Sequence, residues 1–271
     1  QDSDGAVVFA SFCEGQTPPE PTQACTGASC VTAITTCEEL QLVDIQSGTT
    51  YTIENYIDCS ATNPEHENYP GSLWSQSWAE LDLMDQQLLE KSNYGEATWN
   101  AHQGFRPVLW HDIADFPGIL AKDVIFNGQD NTVQYLTVQP VDAGIDAASQ
   151  VGLFEKVYFN SQIKNLRLTD VEILGFKEVG GLAGYLWESS IVDSQVTGTV
   201  TATGRVGGIA GELNNDAHLV NTSFAGDVLA TEDFFGGLVG FMDGSSVRDG
   251  TTSGTVTGRD HGGGLVGDAR G

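Results

Sequence analysis

Apolar and polar residues alternate along much of this chain with the period of a β-strand. The run from Ser194 to Thr201 reads Ser-Gln-Val-Thr-Gly-Thr-Val-Thr, rich in valine and threonine. These residues favour strands, and the run has none of the 3.6-residue apolar spacing of a helix. The pattern therefore predicts short strands separated by glycine-rich turns.

A glycine-bounded tetrapeptide sets the spacing of these strands. It recurs at steps of 27, 29 and 27 residues, and a weaker copy, Gly152-Leu153-Phe154, lies 29 residues before the first. A fixed period in this range is typical of stacked supersecondary units. The four copies are Gly181–Gly184, Gly208–Gly211, Gly237–Gly240 and Gly264–Gly267.

Several columns of similar residues keep the same period. One aliphatic column, at steps of 30, 28, 28 and 28, contains Val133, Ile163, Ile191, Leu219 and Val247. A shift of 28 also aligns Gly198 with Gly226 and Gly254. A third column, which we expect at a turn because Asx side chains satisfy local backbone groups, contains Asn165, Asp193, Asn221 and Asp249. Columns in register are what a parallel β-solenoid needs.

The tetrads and the Thr-Gly-Thr-Val-Thr segments resemble the GLUG-motif proteins, a group of bacterial extracellular and cell-surface β-solenoids. Upstream, Phe126–Val133 and Leu136–Val138 are similar to the family's entry coil, and Thr36–Leu40 followed by Asn55–Ser60 is similar to its N-terminal section. The stretch 61–106 departs from the pattern. The resemblance implies a fold and a surface location, and it brings no catalytic residues.

We therefore predict an all-β fold, a right-handed parallel β-solenoid (β-helix) with an N-terminal helical cap and a helix-containing insertion. Residues 1–30 form an N-terminal arm and a Pro/Thr/Gly-rich linker, and residues 31–271 form the solenoid domain. Within that domain we assign 31–60 to the cap and first strand, 61–106 to an aromatic insertion, and 107–271 to the repeat coils.

The cap is predicted from two overlapping capping boxes. Thr35 and Thr36 each precede a glutamate by three residues, Glu38 and Glu39, which indicates a helix start. We expect this helix to run to about Asp44 and to cover the open sheet edges at the N-terminal end of the solenoid. The run from 50 to 59 then reads as the first strand.

The insertion is marked by tryptophans. Trp74, Trp78, Leu81 and Leu88 follow helical spacing, which predicts an amphipathic helix lying across the solenoid. Four rings are candidate ligand contacts, since surface tryptophans stack on sugars: Trp74, Trp78, Trp99 and Trp110. The alternative is that they form the insertion's own core, which is the commoner role of an aromatic stripe.

Charge limits the classes of partner. The chain carries 37 acidic and 11 basic residues, a net charge of −26, so it would repel phosphate backbones and we expect no nucleic-acid partner. No apolar run approaches the length of a membrane-spanning helix, so we expect no membrane insertion. The acidic composition and the start at Gln1 favour a mature secreted protein in salty water.

The five cysteines all lie between residues 13 and 59, and their spacing does not match a zinc site. Disulfides in an oxidising compartment are the preferred interpretation. A Cys37–Cys59 bond would link the first helix to the first strand. Cys25–Cys30, or a link from Cys13, would follow and leave one thiol over.

Residue chemistry points away from catalysis. The five histidines are dispersed, no nucleophile motif occurs, and the repeat glycines lack a phosphate-loop lysine. Turn oxygens near Asp130 and Asp243 match no calcium repeat. Asp227 has Thr199 and Thr255 as its column neighbours, so it does not form the stacked carboxylate pair that glycoside hydrolysis would require. We expect no catalytic residues, no metal and no cofactor.

The function predicted from the sequence is a non-enzymatic, secreted or cell-surface structural and adhesive module, whose partners are copies of itself or cell-surface and polysaccharide ligands. An alternative is a filament subunit, because the chain stops just after a tetrad and an N-terminal strand would add to a neighbour's edge. That strand would be Ala6, Val7, Val8, Phe9, Ala10, Ser11 and Phe12. A polysaccharide-acting β-helix enzyme is the third possibility.

Overall fold

The architecture is an all-β parallel solenoid. A computed structural model of the chain describes residues 31–81, 86, 99–100, 102–109, 121–140 and 149–271. One hydrophobic core runs through the stacked coils, from Ile34 near the N-terminal end to Val239. It is built mainly from aliphatic side chains supplied by every second strand residue, as the alternating sequence predicts.

The part before the repeats mixes short strands with helical turns. Over residues 31–81 and 102–109 its β-strands and α-helix are β1 (Val31–Ile34), α1 (Cys37–Gln41), β2 (Thr50–Ile53), β3 (Ile57–Asp58) and β4 (His102–Gly104). Three single 3₁₀ turns lie at Ser60–Thr62, Leu73–Ser75 and Trp78–Glu80.

The remaining strands make the coils. The first coil contains β5 (Ile125–Asn127), β6 (Thr132–Gln134), β7 (Thr137–Pro140), β8 (Gln150–Val151) and β9 (Phe154–Tyr158). The second contains β10 (Gln162–Lys164), β11 (Arg167–Leu174), β12 (Glu178–Gly180) and β13 (Ala183–Trp187). The third contains β14 (Ser190–Val192), β15 (Gln195–Ala202), β16 (Arg205–Gly207) and β17 (Ala210–Asn214).

Two further coils repeat the same four-strand pattern. The fourth contains β18 (His218–Val220), β19 (Ser223–Ala230), β20 (Asp233–Gly236) and β21 (Val239–Asp243). The fifth contains β22 (Ser246–Arg248), β23 (Thr251–Thr257), β24 (Asp260–Gly263) and β25 (Val266–Arg270). From β10 onward the pattern therefore makes four regular turns.

The four strands of a coil lie in four different sheets, and the equivalent strands of successive coils pair within each sheet. Sheet 1 has the order β1-β2-β5-β10-β14-β18-β22, and sheet 2 has β23-β19-β15-β11-β6-β3, with β7 also pairing β11. Sheet 3 has β24-β20-β16-β12-β8, and sheet 4 has β25-β21-β17-β13-β9. These pairs are parallel, whereas β4 pairs β7 in the antiparallel sense.

The strand registers confirm most of the predicted columns. Ile163 lies beside Ile191, which lies beside Leu219, and Val247 follows in sheet 1. The sequence spacing predicts Val133 as the first member of this column, and this prediction is wrong. Val133 pairs with Leu168 in sheet 2, and Phe126 occupies the place beside Ile163. The step from Phe126 to Ile163 is 37 residues, so a fixed shift near 28 selects the wrong partner.

The glycine column of sheet 2 is required by the close approach of successive backbones. Gly198, Gly226 and Gly254 have φ angles of 137°, 150° and 112°. A Cβ atom at Gly226 would lie 1.9 Å from the carbonyl oxygen of Gly198 in the preceding coil. Only glycine combines this backbone conformation with this contact.

The N-terminal helix begins where the capping residues predicted it. Thr36 is the N-cap, and its hydroxyl accepts a 3.1 Å hydrogen bond from the backbone N–H of Glu39. The helix ends at Gln41 rather than near Asp44. The predicted strand from 50 to 59 is divided in two, with β2 in sheet 1 and β3 in sheet 2. The chain therefore turns from sheet 1 into sheet 2 between β2 and β3, as it does in the later coils.

The insertion differs from the prediction over the residues that the structure describes. Between 61 and 81 no α-helix runs through Trp74 and Trp78. Each ring is on a separate 3₁₀ turn, and Gln76 between them is extended, with φ −93° and ψ 136°. Ser77 and Glu80 form a capping box that closes a single 3₁₀ turn. Over residues 73–80, two 3₁₀ turns therefore take the place of the predicted helix.

Some predictions concern residues outside the described part of the chain. These are the strand Ala6–Phe12, the cysteines Cys13, Cys25 and Cys30, Leu88, and Trp110. Among the residues that are described, no helix is long and apolar enough to cross a membrane.

Candidate functional site

The tryptophans proposed as ligand contacts divide by their exposure. Trp74 is 1% exposed and Trp99 is 0% exposed. The indole N–H of Trp74 donates to Gln41 Oε1 at 3.0 Å, and that of Trp99 donates to the carbonyl oxygen of Gln76 at 2.9 Å. Both rings are therefore structural, which corrects the ligand-contact prediction for these two. Trp78 packs at the edge of the same small core as Trp99.

Gln41 and Arg106 hold this region to the solenoid. Gln41 donates to the backbone carbonyl of Arg106 at 3.0 Å and accepts from its N–H at 2.8 Å. The buried Arg106 guanidinium lies 3.8 Å from the ring centroid of Trp99 and donates to the carbonyl of Trp74 at 3.2 Å. Cation–π contact and hydrogen bonding together stabilise a cation out of water. Neither residue stood out in the sequence.

A disulfide closes the N-terminal coil. Cys37, the first residue of α1, is bonded to Cys59, which follows β3, with their Cα atoms 5.4 Å apart. Both sulfurs belong to buried residues of the main core. The bond ties the helix to the end of β3 in sheet 2.

The outward face of sheet 4 carries a group of aromatic side chains. Leu186 in β13 points into the core, so its neighbours Tyr185 and Trp187 point outward, and both are half-buried. The ring centroids of Tyr158 and Tyr185 are 6.0 Å apart, and those of Tyr185 and Trp187 are 6.3 Å apart. Phe159 continues the group, 5.6 Å from Tyr158. We call these four residues the aromatic strip.

Burial alters the acidity of the strip's phenols. It raises the pKa of Tyr158 to about 12, with a further contribution from Glu155. Burial also raises the pKa of Tyr185 to about 12, partly opposed by a hydrogen bond from Asn214. Both phenols are therefore neutral donors and acceptors throughout the physiological range.

A groove begins at the edge of the strip. It has a volume of about 540 Å³, within the range of small-ligand clefts. Two of its lining residues are joined by a 2.6 Å hydrogen bond from the amide of Asn215 to the carboxylate of Glu188. The lining residues are Trp187, Glu188, Asn214, Asn215, Asp216, Asp243 and Gly244. A second hollow of about 370 Å³ shares Glu188 and Asp216 with it and adds Ser189, Ser190 and His218.

A charged network lies beside the strip, where sheets 3 and 4 meet. Arg205 pairs with Glu178 at 3.2 Å and also with Glu212, and its guanidinium lies 4.7 Å from the ring centroid of Phe241. Asn214 donates to Glu212 and, at 3.2 Å, to the hydroxyl of Tyr185. Burial raises the pKa of Glu212, and the neighbouring Arg205 offsets part of that rise. The two carboxylates share one guanidinium, which is the geometry of an ion-pair network.

The Asn/Asp column lies at the turn between sheets 1 and 2, as predicted. All four of its residues have positive φ angles between 49° and 51°, a conformation that Asn and Asp tolerate better than other non-glycine residues. Asn165 also donates to Asn127 Oδ1 at 3.1 Å. The side chains thus link successive coils as well as forming the turn. Within the described ranges, no three His, Cys, Asp or Glu side chains are grouped so as to hold a metal ion.

The aromatic strip was missed although the sequence contains its signal. A shift of 29 residues, which is the spacing between Gly152 and Gly181, aligns Tyr158 with Trp187. The structure pairs these two residues in register.

Comparison with known proteins supports the resemblance seen in the repeats. Residues 177–201, which span β12 to β15, match the GLUG motif. The match covers one repeat, from the loop before the Gly181 tetrad to the strand of the Gly198 column. The chain therefore contains a GLUG motif, and the recognition made from the tetrads is confirmed.

The chain is also similar to halomucin from Haloquadratum walsbyi (strain DSM 16790 / HBSQ001). The two are 34% identical over 178 residues, which is 56% of this chain. The chain spans about 2% of the length of that relative. No solved structure matches the chain.

Proposed function

We propose that this chain is a non-enzymatic, adhesive and structural β-solenoid module of a secreted or cell-surface protein. One observation carries the proposal. Strands of successive coils pair in parallel and in register, and they form four sheets that run along the solenoid. Each inner coil is fixed by hydrogen bonds to both neighbours, so the assembly is a stiff scaffold whose outer side chains form extended surfaces. The GLUG motif and the similarity to halomucin support a place at the cell surface.

The finer architecture belongs to this proposal. The coils wind to the right, in keeping with the strong preference of parallel crossover connections. Helix α1, joined to Arg106 through Gln41, would cap the N-terminal end of the solenoid and keep its edge strands from pairing with other chains. The predicted polymerising arm lies outside the described residues, and the adhesive role does not depend on it.

The charged network favours a structural role over a catalytic one. A glycosidase needs one carboxylic acid free to protonate a leaving group. Here Glu178 and Glu212 are both engaged by Arg205, and Glu212 is 5% exposed. Such a network strengthens the corner of the solenoid. A reducing-end assay on neutral and acidic polysaccharides tests the enzyme alternative, and release of sugar ends by the purified chain would favour it.

Surface location and adhesion are testable together. Intact cells that make the protein would be treated with a membrane-impermeant biotinylating reagent, and beads coated with the purified chain would be mixed with such cells. We expect biotin on the protein or its recovery from the medium, and cell capture above that of beads coated with an unrelated acidic protein. Labelling only after permeabilisation, or equal capture by both beads, would contradict the proposal.

A further inference from the structure

We infer that the aromatic strip and the adjoining groove form a binding surface for a neutral polysaccharide chain. This inference rests on the proposed adhesive function and gives that function a site and a ligand class. The surface is distinct from the tryptophan insertion, whose Trp74 and Trp99 are buried.

The rings provide the apolar half of such a surface. One face of a pyranose ring presents C–H groups, and it packs on a flat aromatic side chain. The ring planes of Trp187 and Tyr185 are nearly parallel, with 22° between them and 6.3 Å between the ring centroids. Tyr158 lies one coil away, 6.0 Å from Tyr185. The strip therefore offers ring faces on two neighbouring coils, with Tyr185 and Trp187 on one strand and Tyr158 on the strand beside it.

The groove provides the polar half. Sugar hydroxyls both donate and accept hydrogen bonds, and they need amides, hydroxyls and carboxylates at the rim of the ring. Asn214, Asn215 and Asp243 line the groove beside Trp187. Ser190 and His218 continue the polar lining in the adjacent hollow. The ligand chain would pass from the rings onto these side chains.

Charge selects a neutral polymer. Glu188, Asp216 and Asp243 line the groove, whereas neither hollow has a lysine or arginine among its lining residues. The whole chain carries a net charge of −26. Uronate and sulfate groups would meet repulsion without a paired cation, whereas uncharged hydroxyls donate well to carboxylates.

The test is native affinity electrophoresis of the whole chain in gels containing one polysaccharide each. The neutral probes are galactomannan, hydroxyethyl cellulose and dextran, and the anionic comparator is alginate. The variants are Trp187→Ala, Tyr185→Ala and Asn215→Ala. The matched controls are Tyr56→Ala and Tyr135→Ala, which remove rings that are 49% and 44% exposed and lie outside the strip. Circular dichroism establishes that each variant is folded.

We expect retardation by at least one neutral probe, weakened about tenfold in dissociation constant by Trp187→Ala and unchanged in the controls. Tryptophan fluorescence of the unmodified chain provides a second measurement that needs no destabilised variant. The neutral probe should change it, and Trp187→Phe should remove most of that change while keeping a flat ring.

Three results would overturn the inference. They are retardation only by alginate, equal retardation of strip variants and controls, and no retardation by any neutral probe. Light scattering detects one further contradicting case. In that case the strip joins two copies of the chain, and the strip variants change only the mass of the particle in solution. If cell capture persists in any of these cases, the adhesive function stands without this site. If surface labelling and capture fail, the proposed function fails whatever the gels give.

Discussion

Asn221 Nδ2 donates a 2.6 Å hydrogen bond to Asp193 Oδ1 across one coil of the solenoid. The two residues follow paired strands of sheet 1 and share the same left-handed turn conformation. A neutral amide thus separates the carboxylates of Asp193 and Asp249, which lie one coil before it and one coil after it. The column alternates in charge where the molecule as a whole is strongly acidic.

Replacing this amide by a carboxylate should destabilise the fold. Asn221→Asp removes the donor and places three carboxylates in successive coils, and we expect a loss of about 1–2 kcal/mol in unfolding free energy at low salt. The loss should shrink near 1 M NaCl, since salt screens exposed charges. Urea denaturation at both salt concentrations provides the measurement.

Asn68→Asp is the matched control for this experiment. It adds the same charge at an exposed position of the insertion, away from the column. We expect it to cost much less than Asn221→Asp at low salt. Equal losses in the two variants would mean that net charge, and not the column, determines the effect.

The first glycine of each tetrad offers a comparison within one column. A Cβ atom at Gly208 would lie 2.1 Å from the Phe224 ring and 2.5 Å from the carbonyl oxygen of Gly237, whereas at Gly264 it would meet nothing within 4 Å. We expect Gly208→Ala to cost about 3 kcal/mol and Gly264→Ala to cost less than about 1 kcal/mol. Thermal unfolding of both variants would decide; similar losses would contradict the stacking geometry.

Removing the disulfide should weaken the N-terminal coil more than the repeats. The bonded cysteines are 22 residues apart, so the double variant Cys37→Ala/Cys59→Ala should lose about 3 kcal/mol. Because coils contact only their neighbours, we expect hydrogen exchange to accelerate in α1, β2 and β3 and to change little in β14 to β21. Uniform acceleration along the chain would argue against this local coupling.

The strip's tyrosines should ionise late. The pKa of Tyr158 and that of Tyr185 are both about 12 in the folded chain, against an ordinary value of 10.0, mainly because of burial. The folded state therefore keeps protons that the unfolded state releases, and stability falls as pH rises from about 10 towards 12. Phenolate absorbance would be titrated in the unmodified chain and in the double variant Tyr158→Phe/Tyr185→Phe. The difference between the two curves, which is due to these two phenols, should appear only near pH 12.

Denaturant provides the reference for this titration. In guanidinium chloride the same difference between the variant and the unmodified chain should appear near pH 10, the ordinary value. If the native difference also appears near pH 10, the two phenols are more exposed than the structure describes.

The repeats made the fold predictable from the sequence. Alternation identified strands, and columns such as Gly198, Gly226 and Gly254 identified parallel stacking in register, because each residue meets its own counterpart in the next coil. The prediction weakened where the period changes. Phe126 replaces Val133 at the start of one column, since the first coil is longer than those that follow.

The parts without repeats were less predictable. Trp74 and Trp78 are four residues apart, which is the spacing of one helix face. The same spacing also arises when each residue lies on its own 3₁₀ turn, as it does here. The contacts of Gln41 with Arg106 join residues 65 positions apart, and nothing periodic marks them. The aromatic strip combines neighbouring strand positions in two coils, so a search for single-residue columns does not collect it.

The constant four-strand coil also sets how such a gene can lengthen. Duplicating about 28 codons adds a complete coil, and the chain grows by roughly 4.8 Å, the spacing between hydrogen-bonded strands. Every column keeps its partners, because the new coil enters in phase with the old ones. A duplication of half that size would bring the residues of one sheet opposite those of another. Proteins of this architecture are therefore free to vary in the number of whole coils. Each added coil moves a binding surface at one end of the solenoid further from the other end by the thickness of one coil.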